Sequence, residues 1–183
     1  MRPFVRVFLR CPIAMLLHGP RHSVARLRCA WRRQAGIPVG VDRALGDSAP
    51  TFANVADALD LIVRVEPRRG ARLRRDIAAV VVSHRPTGFS VLSSTCYLDT
   101  ALVARSTTGS IALALVHEAV HARFAAAGVI PNAAADVARQ EVRCAREELA
   151  FLARMETAGW TDTDRMRAWL EQCRVTPGHT LEV

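Results

Sequence analysis

The run IALALVHEAVHARFAAAG, from Ile111 to Gly128, has the composition of a buried helix. IALALV, Ile111 to Val116, is wholly apolar, and the polar residues that follow are spaced by the helical repeat. Ser106, Thr107 or Thr108 can cap its start, and Gly128, with Pro131 just beyond, stops it. Inside it stands His117-Glu118-Ala119-Val120-His121, an HExxH sequence. Histidines four apart lie one turn above each other, so both imidazoles can reach one metal ion. Glu118 lies about 100° round the helix from His117, where it can act on water beside a metal without being a ligand. Two imidazoles and a carboxylate in so apolar a helix are costly unless a metal or hydrogen bonds satisfy them.

A catalytic zinc site takes three protein ligands. A third histidine close behind the motif would need Gly at 124 and His at 127; the chain has Phe124 and Ala127. The next helix, expected over Ala133 to Thr157 and ending at Gly159, offers carboxylates instead. Val137, Glu141, Cys144, Glu148, Leu152 and Met155 follow at three- or four-residue spacing, an apolar stripe interrupted by two acids. Glu141, 20 residues after His121, is the candidate third ligand. Glu148 is the candidate acceptor that orients an imidazole or an arginine, and the exchange of these two roles stays open. Glu147 falls with Arg143 on the arginine-rich side, as a solvated ion-pair member.

Around these two helices the expected fold is α+β, mainly helical with a small antiparallel sheet. Thr51 to Val65 reads as an amphipathic helix with Val55, Leu59, Leu61, Ile62 and Val65 as its stripe, and Pro67 opens another through Arg75. IAAVVVS, Ile77 to Ser83, reads as a buried strand, and CYLDTALV, Cys96 to Val103, as a longer one. Thr161 to Cys173 reads as a closing helix, followed by a mobile tail. Upstream, HSVARLRCAWRRQ (His22 to Gln34) reads as a short basic helix and Gly36 to Pro50 as a linker. That divides the chain into a basic arm, 1–50, and a domain, 51–183.

The chain of 183 residues carries 25 basic groups, all arginine, against 17 acids, for a net charge of +8. Residues 1–75 hold 15 arginines and five acids; residues 76–183 hold 10 and 12. Complete absence of lysine beside so much Ala and Val is a codon-bias signature, so the composition does not point to nucleic acid. Five widely spaced cysteines (Cys11, Cys29, Cys96, Cys144, Cys173), without a Cys-x-x-Cys pair, argue against a disulfide framework and read as core residues in a reducing compartment. Phe4 to Leu17 is apolar but broken by Arg6, Arg10 and Pro12, too short and charged to span a bilayer. The expected location is cytoplasmic, with weak contact of the arm at a membrane surface as a further expectation.

VHEAVHARF followed by Glu141 resembles the gluzincin branch of zinc metallopeptidases, in a minimal form. HEAVHARFAAAGVIP with RQEVRCAREELAFL is similar to bacterial proteins of metallopeptidase type. The resemblance runs over Thr51 to Thr157, and its specific part is the HExxH. It implies a zincin-like domain, Zn2+ held by His117, His121 and Glu141, Glu118 as general base, and a protein or peptide substrate. It also implies an edge strand, at Cys96 to Val103, on which an extended substrate can lie. Two positions depart from the pattern: Arg123 stands where a hydrophobe is usual, and Ala145 where an aspartate often follows the glutamate ligand. Tyr97, His84 and His179 are the candidate donors to an oxyanion, none placed by spacing. The alternative is a catalytically silent, metal-stabilised domain serving as a binding module, with the arm, Trp31 among its arginines, touching membrane or nucleic acid.

Overall fold

The computed structural model describes residues 27–129, 131, 133–161, 163 and 167. The apolar segment Phe4 to Leu17, the first residues of the expected basic helix, most of the closing helix and the tail with His179 lie outside the described residues. The rest is an α+β fold in which five strands form one sheet and the helices share one face of it.

The chain enters through a hairpin where a helix end and a linker were expected. β1 (Cys29–Gln34) pairs antiparallel with β2 (Ile37–Asp42), with Gln34 opposite Ile37. The two turn residues, Ala35 and Gly36, both have positive φ, +46° and +83°, as a tight two-residue hairpin requires. Ile37, Val39 and Val41 recur with period two and are all buried in the core, a strand signal that prevails over the Gly and Pro around it. On the opposite face Trp31 lies across Gly40, where an added Cβ would come within 2.8 Å of the indole. Residues assigned by sequence to an arm and linker are thus the first two strands of the sheet.

α1 (Ala49–Val65) and α2 (Pro67–Asp76) follow as expected and carry the chain back to β3 (Ala79–Ser83). A crossover of that length returns the strand in the same direction, so β3 lies parallel to β2. β4 (Gly88–Ser90) and β5 (Thr95–Asp99) form a second hairpin, with β5 inserted parallel to β3. The order is β1-β2-β3-β5-β4, a mixed sheet and not the antiparallel one expected. The edges are therefore β1 and β4, not the strand at Cys96. The expected strand through Val103 stops at Asp99, whose carboxylate accepts from the Ala101 amide at 2.7 Å and caps a short helix, α3 (Thr100–Arg105).

α4 (Thr108–Ala126) is capped by Thr107, which accepts from the Ser110 amide at 3.2 Å. It is covered by α1 and α2, by α5 (Ala134–Thr157), and by β4 and β5. Ile111, Leu115 and Val116 are fully enclosed, together with Phe52, Val80 and Leu98. Gly128, at φ +75°, ends α4: its amide donates to Ala125 O at 2.9 Å and the Val129 amide to Phe124 O at 2.8 Å. This paired C-terminal bonding turns the chain sharply and sends α5 back against α4. Among the described residues no helix is long and apolar enough to cross a membrane.

Candidate metal centre

α4 and α5 bring four side chains to one point. The helical repeat stacks His117 over His121, with ring centroids 5.0 Å apart and Nε2 atoms 3.2 Å apart. From α5, Glu141 places Oε2 3.3 Å from His117 Nε2 and Oε1 3.3 Å from His121 Nε2. One turn on, Cys144 sets its Sγ 3.6 Å from His121 Nε2. The ligand atoms of His117, His121, Glu141 and Cys144 all lie within 4.8 Å of one another, a cluster that could hold a metal ion.

Its surroundings are graded. Cys144 is buried, the imidazoles are about three-quarters covered, and the Glu141 side chain is 47% exposed, so the centre opens to solvent on the Glu141 side. Glu148, enclosed, puts Oε1 3.5 Å from His117 Nδ1, the orienting position expected of it. The exchange of roles between Glu141 and Glu148 does not match this geometry, because Glu148 faces the other ring nitrogen.

The charges follow from this packing. Burial alone would push the His121 imidazole down, but the Cys144 sulfur and the Glu141 carboxylate raise it to about 10. Burial pushes His117 down as well, yet Cys144, Glu141 and Glu148 lift it well above the ordinary histidine range. Hydrogen bonds from the two imidazoles hold the Glu141 carboxyl far below the usual carboxylate range. Glu118 behaves in the opposite way: burial raises its carboxyl, against the pull of His117 and His121. It is 5% exposed, and its Oε2 has no hydrogen-bond partner. Burial, and then the Glu118 charge, raise the Cys96 thiol in β5.

Other expected residues stand elsewhere. Tyr97 is buried with Cys29 and Val81, on the sheet face away from the helices, with Arg85 over its ring. His84 is exposed in the turn after β3. Val137, read as part of a buried stripe, is exposed, because α5 has not yet met α4 so close to the loop. Glu147 is no solvated pair member: its side chain is 15% exposed and meets Arg69 at 3.0 Å, Arg143 at 3.1 Å and Arg123 at 3.2 Å. That accounts for Arg123 at a position where a hydrophobe is usual. Arg69, itself buried, also binds Glu66 at 2.7 Å, so one ionic network ties α2, α4 and α5 beside the centre.

Sequence reasoning placed Cys144 on the right helix face but read it as a core residue. Its signal was its position three residues after Glu141, the spacing that puts two side chains side by side. No family model, no curated protein and no solved structure matches the chain.

Proposed function

We propose that the chain is a zinc-dependent hydrolase, a metallopeptidase acting on protein or peptide, with His117, His121 and Glu141 as ligands and Glu118 as general base. The observation that carries this is the convergence of the two Nε2 atoms and the Glu141 carboxylate at 3.2 to 3.3 Å. Nitrogen and oxygen ligands of a tetrahedral zinc, each bonded at about 2.0 to 2.1 Å, stand about 3.3 Å apart. The donor set, two imidazoles and a carboxylate, is a catalytic zinc set.

Zinc in such a site supplies a Lewis acid that brings the pKa of a coordinated water towards neutrality and polarises a carbonyl. The chain's own groups do the rest. Glu118, raised by burial and with one carboxyl oxygen unpartnered, takes the proton from the attacking water and delivers it to the leaving amine. Glu148 fixes the tautomer and angle of His117 through Nδ1. β4 ends the sheet and packs against α4, so its outer edge can pair with an extended peptide and lead it past Glu118. The free, buried thiols of Cys96 and Cys144 support a reducing, cytoplasmic setting.

The test is metal content together with hydrolysis of a mixed peptide substrate. Purified wild-type chain should carry close to one zinc, Glu141→Ala should bind it far more weakly, and Glu118→Gln should keep it while losing hydrolysis. Wild type without zinc, or Glu118→Gln hydrolysing at the wild-type rate, overturns the reading. A metal-stabilised domain without activity is the second reading, and the fourth donor, Cys144, is what favours it, because closed four-ligand sites are structural.

A further inference from the structure

We infer that the Cys144 thiolate is a fourth zinc ligand that holds the resting centre closed, so that substrate water enters only when this sulfur leaves. The inference rests on the metal reading above and adds a regulatory element to it. Zinc binds sulfur at about 2.3 Å and nitrogen at about 2.0 to 2.1 Å, which places the two ligands about 3.6 Å apart in a tetrahedron. Cys144 Sγ lies 3.6 Å from His121 Nε2, while the nitrogens stand 3.2 Å from each other. One sulfur among the imidazoles of the same cluster thus repeats the spacing of a sphere made of two histidines, a glutamate and a cysteine, and every ligand atom is within 4.8 Å of the others.

The position of the sulfur decides what it blocks. Glu141, on the solvent side, leaves the outer approach to the imidazoles half open, whereas Cys144 is buried beneath them on the same helix face. Its thiol donates to His117 O at 3.8 Å and stands 3.6 Å from His121 Nε2. On metal binding the thiol proton leaves to solvent and the sulfur takes the coordination place that a three-ligand centre keeps for water. Cys29 and Cys96, the other cysteines among the described residues, belong to the sheet and are not in the cluster.

The experiment uses the full chain loaded with cobalt(II), whose thiolate bond gives a near-ultraviolet charge-transfer band, and the zinc-loaded chain for hydrolysis. Wild type should show the band at one cobalt per chain; Cys144→Ala and Cys144→Ser should bind cobalt and lack it. Zinc-loaded Cys144→Ala should hydrolyse peptide roughly tenfold faster or more than wild type, about 1.4 kcal/mol or more in transition-state terms. Stoichiometric cobalt without the band overturns the inference and leaves the three-ligand hydrolase standing. A band that survives in both variants, or wild type as fast as Cys144→Ala, also overturns it. No hydrolysis by any variant despite the band removes the hydrolase reading and leaves Cys144 as a ligand of a structural centre. No cobalt bound removes both.

Discussion

His117 and His121 meet because one helical turn separates them, and Glu141 and Cys144 join them because α5 offers side chains at i and i+3 to the same spot. Glu148, one further turn along, meets the far nitrogen of His117. Removing that acceptor frees the ring, so Glu148→Ala should fold yet bind zinc about 10- to 100-fold more weakly, as read by competition with a chromophoric chelator. Unchanged affinity would deny Glu148 its orienting role. Four of these side chains were legible in the sequence, because the 3.6-residue repeat fixes which positions share a face. Cys144 was seen without its chemistry: a thiol is at once a small core residue and a ligand, and only the neighbouring imidazole distinguishes the two.

At the scale of elements, the centre depends on where α4 begins and how it ends. Thr107→Ala removes the bond to the Ser110 amide and should cost about 1 kcal/mol of stability in urea denaturation. Gly128 is held at φ +75°, so Gly128→Val should cost about 1 kcal/mol or more and weaken zinc binding as well, since that turn aims α5 at α4. A loss of stability with full zinc affinity would show that the two helices find each other without it. Both helix ends were readable, since Gly128 and Gly159 each follow a periodic run. The opening hairpin was not. Ala30 and Trp31 suit a helix stripe as well as the two faces of a strand, and Gly36, Pro38 and Gly40 imitate a linker. What settles the hairpin is the pairing of β2 with β3, a contact far off in sequence that no local pattern contains.

Across the whole molecule, the arginine bias has a structural use in at least one place. Arg69, 7% exposed at its side chain, binds Glu66 and Glu147, lies over the Phe151 ring, and joins α2 to α5. Arg69→Ala takes one partner from each of two largely buried acids, which keep Arg72 and the pair Arg123 and Arg143, and should destabilise the chain by about 1 to 3 kcal/mol, whereas Arg139→Ala, at a more exposed pair with Asp136, should cost much less. Equal urea midpoints for the two variants would show that the network carries no stability. Burial alone would raise the Glu147 carboxyl, but Arg123 and Arg69 bring it below its ordinary value. A carboxyl depressed in the folded state contributes stability that is present above its unfolded pKa, about 4.3, and is lost as pH falls through the folded one. The stability of Glu147→Gln should therefore change less than that of wild type as pH is lowered from about 5 towards about 3, as followed by thermal unfolding.

All these elements converge on the space between two imidazoles and a carboxylate. Anomalous diffraction at the zinc edge, from crystals of the zinc-loaded full chain, tests that convergence most directly. A single peak within bonding distance of His117 Nε2, His121 Nε2 and a Glu141 oxygen is the expected result; no peak there, with the Glu141 carboxylate turned into solvent, would contradict it.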